Sequence, residues 1–132
     1  MKIIGKDQHE HQLKLKNTRV LGEDERPRSQ FHKKAKILIL ELYPVDCICE
    51  EVHIPSWNLY LDFFIPMRKL AIEVNGEQHA LQSSLFDKSP LDFLKRKQKD
   101  KDKQRFCEIN NISLITLWWN EEHKWKTQLE SA

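Results

Sequence analysis

Two acidic residues, Asp62 and Glu73, are placed to face one another across a β-hairpin. They lie in LYLDFFIPMRKLAIEVN, residues 59–75, where only Pro66, Met67, Arg68 and Lys69 separate two apolar runs. That is a hairpin-length loop. If Ile65 pairs with Leu70, then Phe63 faces Ile72 and Leu61 faces Val74, and strand alternation puts all of these apolar residues on one face. The same register sets Asp62 opposite Glu73 on the other face, with Cβ atoms about 4.5–5.5 Å apart. Carboxylates that close repel unless a cation lies between them or one takes a proton. Hard divalent ions such as Mg²⁺ prefer one or two carboxylates, waters and phosphate oxygens, so the pattern points to metal-assisted phosphoryl chemistry. The competing reading is a solvated sheet face. Tyr60, Phe64 and Ala71 share the face with the pair and argue against full solvation. Asn75 points the same way, and Gly76, Glu77, Gln78 and His79 add polar groups at the strand's end.

The elements that must hold this pair follow from periodicity. Apolar residues at Phe31, Ala35, Leu38 and Leu42 predict a helix over 31–43, stopped before Pro44, with Ser29 a plausible N-cap. Strands are expected at 47–54, 58–65 and 70–75, the first two ended by Pro55 and Pro66 and the third by Gly76. Residues 80–90 read as a loop, 91–110 as a second long helix, 112–117 as a fourth strand, and the C-terminus as a last helix. The order helix, three strands, helix, strand, helix is that of an α/β domain: a mixed sheet flanked by helices. Residues 1–28 lack a clear period, although Ile3-Ile4 and Leu13-Lys14-Leu15 are strand-like, so they read as an arm or an edge hairpin ahead of a domain over 29–132.

Positive charge is concentrated rather than abundant. The run 95–105, KRKQKDKDKQR, sets Lys95, Arg96, Lys97, Lys99, Lys101, Lys103 and Arg105 against Asp100 and Asp102, a local +5 in a chain of net +2. A solvated helix face is the ordinary explanation; beside a metal site the run also suits phosphates. Lys33 and Lys34 begin a second basic set with Lys36, and Lys14, Lys16, Arg19, Arg26 and Arg28 could let the arm reach a DNA groove. Trp57, Trp118, Trp119 and Trp125 read as packing residues rather than base-stacking platforms. Cys47, Cys49 and Cys107 are odd in number and lack repeated spacing, which predicts small buried hydrophobes rather than disulfides or a zinc site.

The central segment resembles a known signature. Leu61-Asp62 followed by Ile72-Glu73-Val74-Asn75 is similar to the motif of the PD-(D/E)XK nucleases, most of all their very-short-patch-repair branch and the related small phage homing endonucleases. In that branch a strand aspartate is followed by a hairpin, an apolar strand and a Gly-x-x-His turn, here ending at His79. A later helix carries Asp-x-x-Lys, here Asp100 to Lys103, and leads through Phe106-Cys107 to the strand at Ile112. The likeness spans residues 30–118 and implies a restriction-endonuclease-like core. It implies that Asp62 and Glu73 bind Mg²⁺ (with Mn²⁺ able to substitute), that the Val74 carbonyl is a further ligand, and that His79 is a general base or phosphate contact. Glu41 would hold a water on the metal, Asp100 would close the site, and Lys103 would touch phosphate. The usual lysine two residues after the second carboxylate is Asn75 here, which can neither carry charge nor act as a base; histidine can take over proton transfer.

The resemblance therefore implies a DNA endonuclease of the free-standing homing or nicking kind, acting in the cytoplasm of a bacterial or phage-infected cell, with a homodimer as one way to cut both strands. A mismatch-repair nicking enzyme, a junction resolvase and a non-catalytic nucleic-acid-binding module of the same fold are the alternatives. No run approaches the roughly 18 apolar residues of a membrane span, and the first residues are too polar for a signal peptide.

Overall fold

The computed structural model describes residues 1–17, 30–75 and 90–132. A hairpin of β1 (Lys2–Ile4) and β2 (Glu10–Gln12) precedes α1 (Gln30–Leu42). Then come β3 (Cys49–Ile54), β4 (Leu59–Ile65), β5 (Leu70–Asn75), α2 (Pro90–Ile109), β6 (Ser113–Trp118) and α3 (Trp125–Glu130). The main sheet has the order β3-β4-β5-β6; its first three strands are antiparallel, and β5 and β6 are parallel. Parallel neighbours need a crossover, which is why α2 must lie between them in sequence. The chain is thus a mixed α/β domain with a mixed sheet flanked by helices, in the expected order of elements.

Two similar corners set the hairpins. Proline opens a short 3₁₀ turn at Pro55–Trp57 and again at Pro66–Arg68, fixing φ where the strand must stop. Asn58 (φ 53°) and Lys69 (φ 47°) then take left-handed conformations that reverse the chain, each donating its N–H to the proline carbonyl at 3.1 Å. The observed pairs Phe63–Ile72, Phe64–Ala71 and Ile65–Leu70 are those of the expected register.

The two central strands are covered on both sides over most of their length, which explains the apolar runs of β4 and β5. Phe64 and Ala71 pack with Phe106 and Cys107 of α2, while Phe63, Ile65, Leu70 and Ile72 pack with Ala35 and Ile39 of α1 and Trp125 and Leu129 of α3. Leu61 departs from expectation. It joins Leu59, Val52 and Ile54 in the α2-side cluster, not Phe63. Strict alternation would keep Leu61 and Phe63 together, so the alternation slips at Asp62. Across β3, between the pairs Glu50–Phe63 and Val52–Leu61, Glu51 has φ 49°, a local kink of the kind that re-aims strand side chains. For the same reason Tyr60 does not share a packed face with Phe64; it is exposed and stacks on His53, ring centroids 4.5 Å apart.

Residues 1–17 are built into the domain rather than hanging from it. The second short strand lies at Glu10–Gln12, earlier than the expected 13–15, because the turn closes tightly through the Gly5 N–H to His9 carbonyl bond. Ile3 and Leu13 are buried. The Ile4 N–H donates to Asn110 Oδ1 at 2.6 Å, and Asn110 Nδ2 and Trp57 Nε1 donate to the Ile4 carbonyl. Lys14 and Lys16 are exposed, whereas Arg19, Arg26, Arg28 and Ser29 lie outside the described residues. Asn110→Ala, which strands the Ile4 N–H, should cost about 1–2 kcal/mol. The check is a lowered urea midpoint with an unchanged slope.

A charged cluster lies under α1. His32 Nε2 is 2.5 Å from Glu50 Oε2, Lys36 Nζ is 3.1 Å from Glu50 Oε1, and the His32 ring stacks on Phe63. Burial pushes the Glu50 carboxyl up, but the hydrogen bonds from His32 and Lys36 outweigh it and hold the group at about 2, against an ordinary 4.5. A depressed folded-state value means stability present above pH 4.5 and lost as pH falls toward 2. Acid titration of the midpoint should show about 3 kcal/mol lost over that window, and Glu50→Gln should flatten it.

Candidate metal-binding carboxylate site

Beyond the Phe63–Ile72 pair the β4–β5 strands are joined by side chains. Glu73 Oε1 accepts the Asp62 N–H at 3.2 Å, and Asp62 Oδ2 accepts the Val74 N–H at 2.9 Å. Each carboxylate satisfies a backbone donor of the opposite strand, where an unpaired buried N–H would be costly. The pair is therefore adjacent, as the register implies, but the link is reciprocal side-chain bonding rather than a continued backbone ladder.

Glu73 is 8% exposed. Its Oε2 accepts a hydrogen bond from Lys103 Nζ at 2.9 Å. Burial first, and then the Asp62 charge, push the Glu73 carboxyl up to about 8; Lys103 only partly offsets them. With both carboxylates ionised, one ammonium leaves the cluster a positive charge short. That deficit is the observation that fits a divalent cation: two carboxylates, one of them resisting ionisation, are a donor set that Mg²⁺ accepts. Val74 gives its N–H to Asp62, and its own strand pairs with β6 at Leu117.

The other expected site residues are distributed as follows. Asn75 is half-buried at the end of β5, beside Trp118. Asp100 is exposed on α2, without a bond to the pair; the neighbouring Asp102 meets Lys6 and Gln98 instead. Glu41 is exposed on α1, the helix that packs on the opposite side of the sheet from α2, so the structure does not bring it to Asp62 and Glu73. His79, with Gly76, Glu77 and Gln78, lies outside the described residues. Lys95, Lys97, Lys99, Lys101 and Arg105 are exposed on α2, and Arg96 lies over the Phe93 ring. Lys33 and Lys34 are exposed on α1, with Lys34 3.4 Å from Glu122.

The contact of Lys103 with Glu73 was not read from the sequence, although a signal existed. Lys103 stands three and four residues before Phe106 and Cys107, the buried residues of α2, and so shares their inward face. The expected burial of the cysteines holds for two of the three; Cys47 is half-buried, its Sγ 3.9 Å from that of Cys49. Cys49 and Cys107 are buried, and burial pushes both thiols up to about 12, far from thiolate chemistry. Among the described residues no three His, Cys, Asp or Glu side chains gather as a metal cluster, and no helix is long and apolar enough to cross a membrane.

No family model matches the chain, and no solved structure matches it. A curated relative, "Uncharacterized protein 307L" of Invertebrate iridescent virus 6, is 37% identical over 62 residues. That alignment takes in 47% of this chain and 32% of the viral protein, so the chain spans about a third of the relative it matches.

Proposed function

We propose that this chain is a metal-dependent DNA endonuclease of the PD-(D/E)XK kind, with a restriction-endonuclease-like core. The observation that carries the reading is the Asp62–Glu73 pair, Glu73 buried and Asp62 half-buried, set where β4 and β5 leave their ladder and, with both carboxylates ionised, short of one positive charge. The antiparallel β3–β4–β5 unit followed by a helical crossover to a parallel β6 supports the core.

Asp62 and Glu73 would hold Mg²⁺, with the Val74 carbonyl beside them. Bound there, the ion would supply the charge that polarises a phosphodiester and acidifies an attacking water. The residues of the chain do the rest. The reciprocal bonds to the Asp62 and Val74 N–H groups fix both carboxylates before substrate arrives, so little reorganisation remains. Lys103 keeps Glu73 oriented and brings an ammonium to the edge of the pair, where a phosphate oxygen can share it. It supplies from a helix the charge that Asn75 cannot supply from the strand. The basic side chains of α2 bring the phosphate backbone toward this edge.

The test is incubation of the protein with supercoiled plasmid, genomic DNA, a mismatched duplex and a four-way junction, in Mg²⁺, Mn²⁺ or EDTA. The expected result is metal-dependent cleavage leaving 5′-phosphate and 3′-hydroxyl ends, and the preferred substrate then separates homing, mismatch-repair and junction-resolving activities. DNA binding with no cleavage of any substrate in either metal would instead identify a non-catalytic binding module.

A further inference from the structure

We infer that the first turns of α2, residues 90–101, enter the major groove of duplex DNA and touch phosphates on both of its walls. The choice of DNA rests on the nuclease reading; the mode of engagement does not.

A surface helix normally buries one face. In α2 only Phe106 and Cys107, near the C-terminal end, are buried; the side chains of Asp102 and Lys103, 15% and 19% exposed, turn to Lys6 and Glu73, and residues 90–101 bury no side chain. Their cations are not on one side. At about 100° per residue, Lys95 and Lys99 lie about 40° apart, and Lys97 and Lys101 form a second pair roughly opposite the first. None of these lysines makes an ion pair among the described residues. A helix resting along one strand needs charge on one face; charge on two opposite faces suits a helix between two phosphate walls. A helix of about 10–12 Å diameter fits a groove about 12 Å wide.

The N-terminal end of α2 carries a second unexplained feature. Leu91 and Leu94 are 58% and 61% exposed amid the lysines. On a groove floor they would meet thymine methyl groups, the apolar element of the major-groove pattern. A second copy of α2 is a poor occupant because like charges would meet. An RNA duplex is excluded by its deep, narrow major groove. Just past these turns Lys103 holds Glu73, which puts the carboxylate pair beside one wall of the groove.

The experiment measures binding in EDTA by fluorescence anisotropy across a salt series. The probes are a DNA duplex, the same duplex bearing glucosylated 5-hydroxymethylcytosine, which fills the major groove, and an RNA duplex. The proteins are the full chain, Lys95→Gln/Lys99→Gln and Lys97→Gln/Lys101→Gln. Insertion predicts at least about tenfold weaker binding to the glucosylated and RNA duplexes, and a salt slope lowered by about 1.8 in each double variant, since each phosphate contact contributes about 0.9. Equal binding to glucosylated DNA, or a slope change in only one double variant, overturns it in favour of a helix lying along one strand, and leaves the nuclease reading intact. A dimer that dissociates in these variants, seen by sedimentation, overturns it in favour of self-association. Absence of binding to every duplex removes both the inference and the DNA reading.

Discussion

For the proposed nuclease, Asp62→Asn and Glu73→Gln will each lower metal-dependent DNA cleavage by about 10³-fold or more, while the protein stays folded. The size follows from what a bound divalent ion contributes, several kcal/mol of transition-state charge stabilisation, at about 1.4 kcal/mol per tenfold in rate. The amides are the right replacements because both carboxylates also hold the strands: Glu73 accepts the Asp62 N–H and Asp62 accepts the Val74 N–H. Asn and Gln remove the charge but keep one acceptor oxygen for these N–H groups, although in Glu73→Gln the amide NH2 takes the place of the oxygen that accepts from Lys103. A thermal control separates lost chemistry from lost structure. The folded protein holds the Glu73 proton to about pH 8 against an ordinary 4.5, so its contribution to stability is full below 4.5 and is lost as pH rises to 8. Glu73→Gln escapes that loss. Without metal at pH 8.5 its Tm should equal or exceed that of the unaltered protein. Excess Mg²⁺ should raise the Tm of the unaltered protein only, since a ligand stabilises by binding the folded state. Undiminished cleavage by both variants would remove the carboxylate pair from the chemistry.

Lys103→Ala will lower cleavage by about 10²–10³-fold, the range for loss of one preorganised donor at a developing charge, and Asn75→Lys added to it will restore at least about tenfold. Lys103 Nζ lies 2.9 Å from Glu73 Oε2. Asn75 is two residues after Glu73 on the same strand, and its side chain leaves the same face. A lysine there can reach the edge of the pair from β5 instead of from α2. Rescue is the decisive part, because a lysine needed only for packing α2 would not be replaced from another element. Folding should survive the loss, since Glu73 without Lys103 keeps its proton more firmly rather than standing as a bare buried charge. Single-turnover cleavage under saturating DNA isolates this effect from binding. Wild-type rates for Lys103→Ala would make the ion pair purely structural.

Much of the fold was legible because the relevant signals are local. Pro55 and Pro66 end strands by removing a donor and fixing φ, the 66–69 loop is short enough to impose one register, and the 3.6-residue spacing from Phe31 to Leu42 can only be a helix face. From these alone come the order of elements, the mixed α/β class and the juxtaposition of Asp62 with Glu73. What tertiary structure decided depends on residues distant in sequence. Alternation carried past Asp62 misplaced Leu61 and Tyr60, because the slip there is shared with Glu51 of a neighbouring strand. The helix spacing of Glu41 carries no record of which side of the sheet α1 covers; packing put α1 opposite α2. Asp100 and Lys103 are equally polar in the run 95–105, and only the anchoring of Phe106 and Cys107 turned Lys103 inward and left Asp100 in solvent. The sequence by itself determined a hairpin with two opposed carboxylates; the docking of α2 decided which cation meets them, because a side chain's partner is set by the rotation of its helix against the sheet.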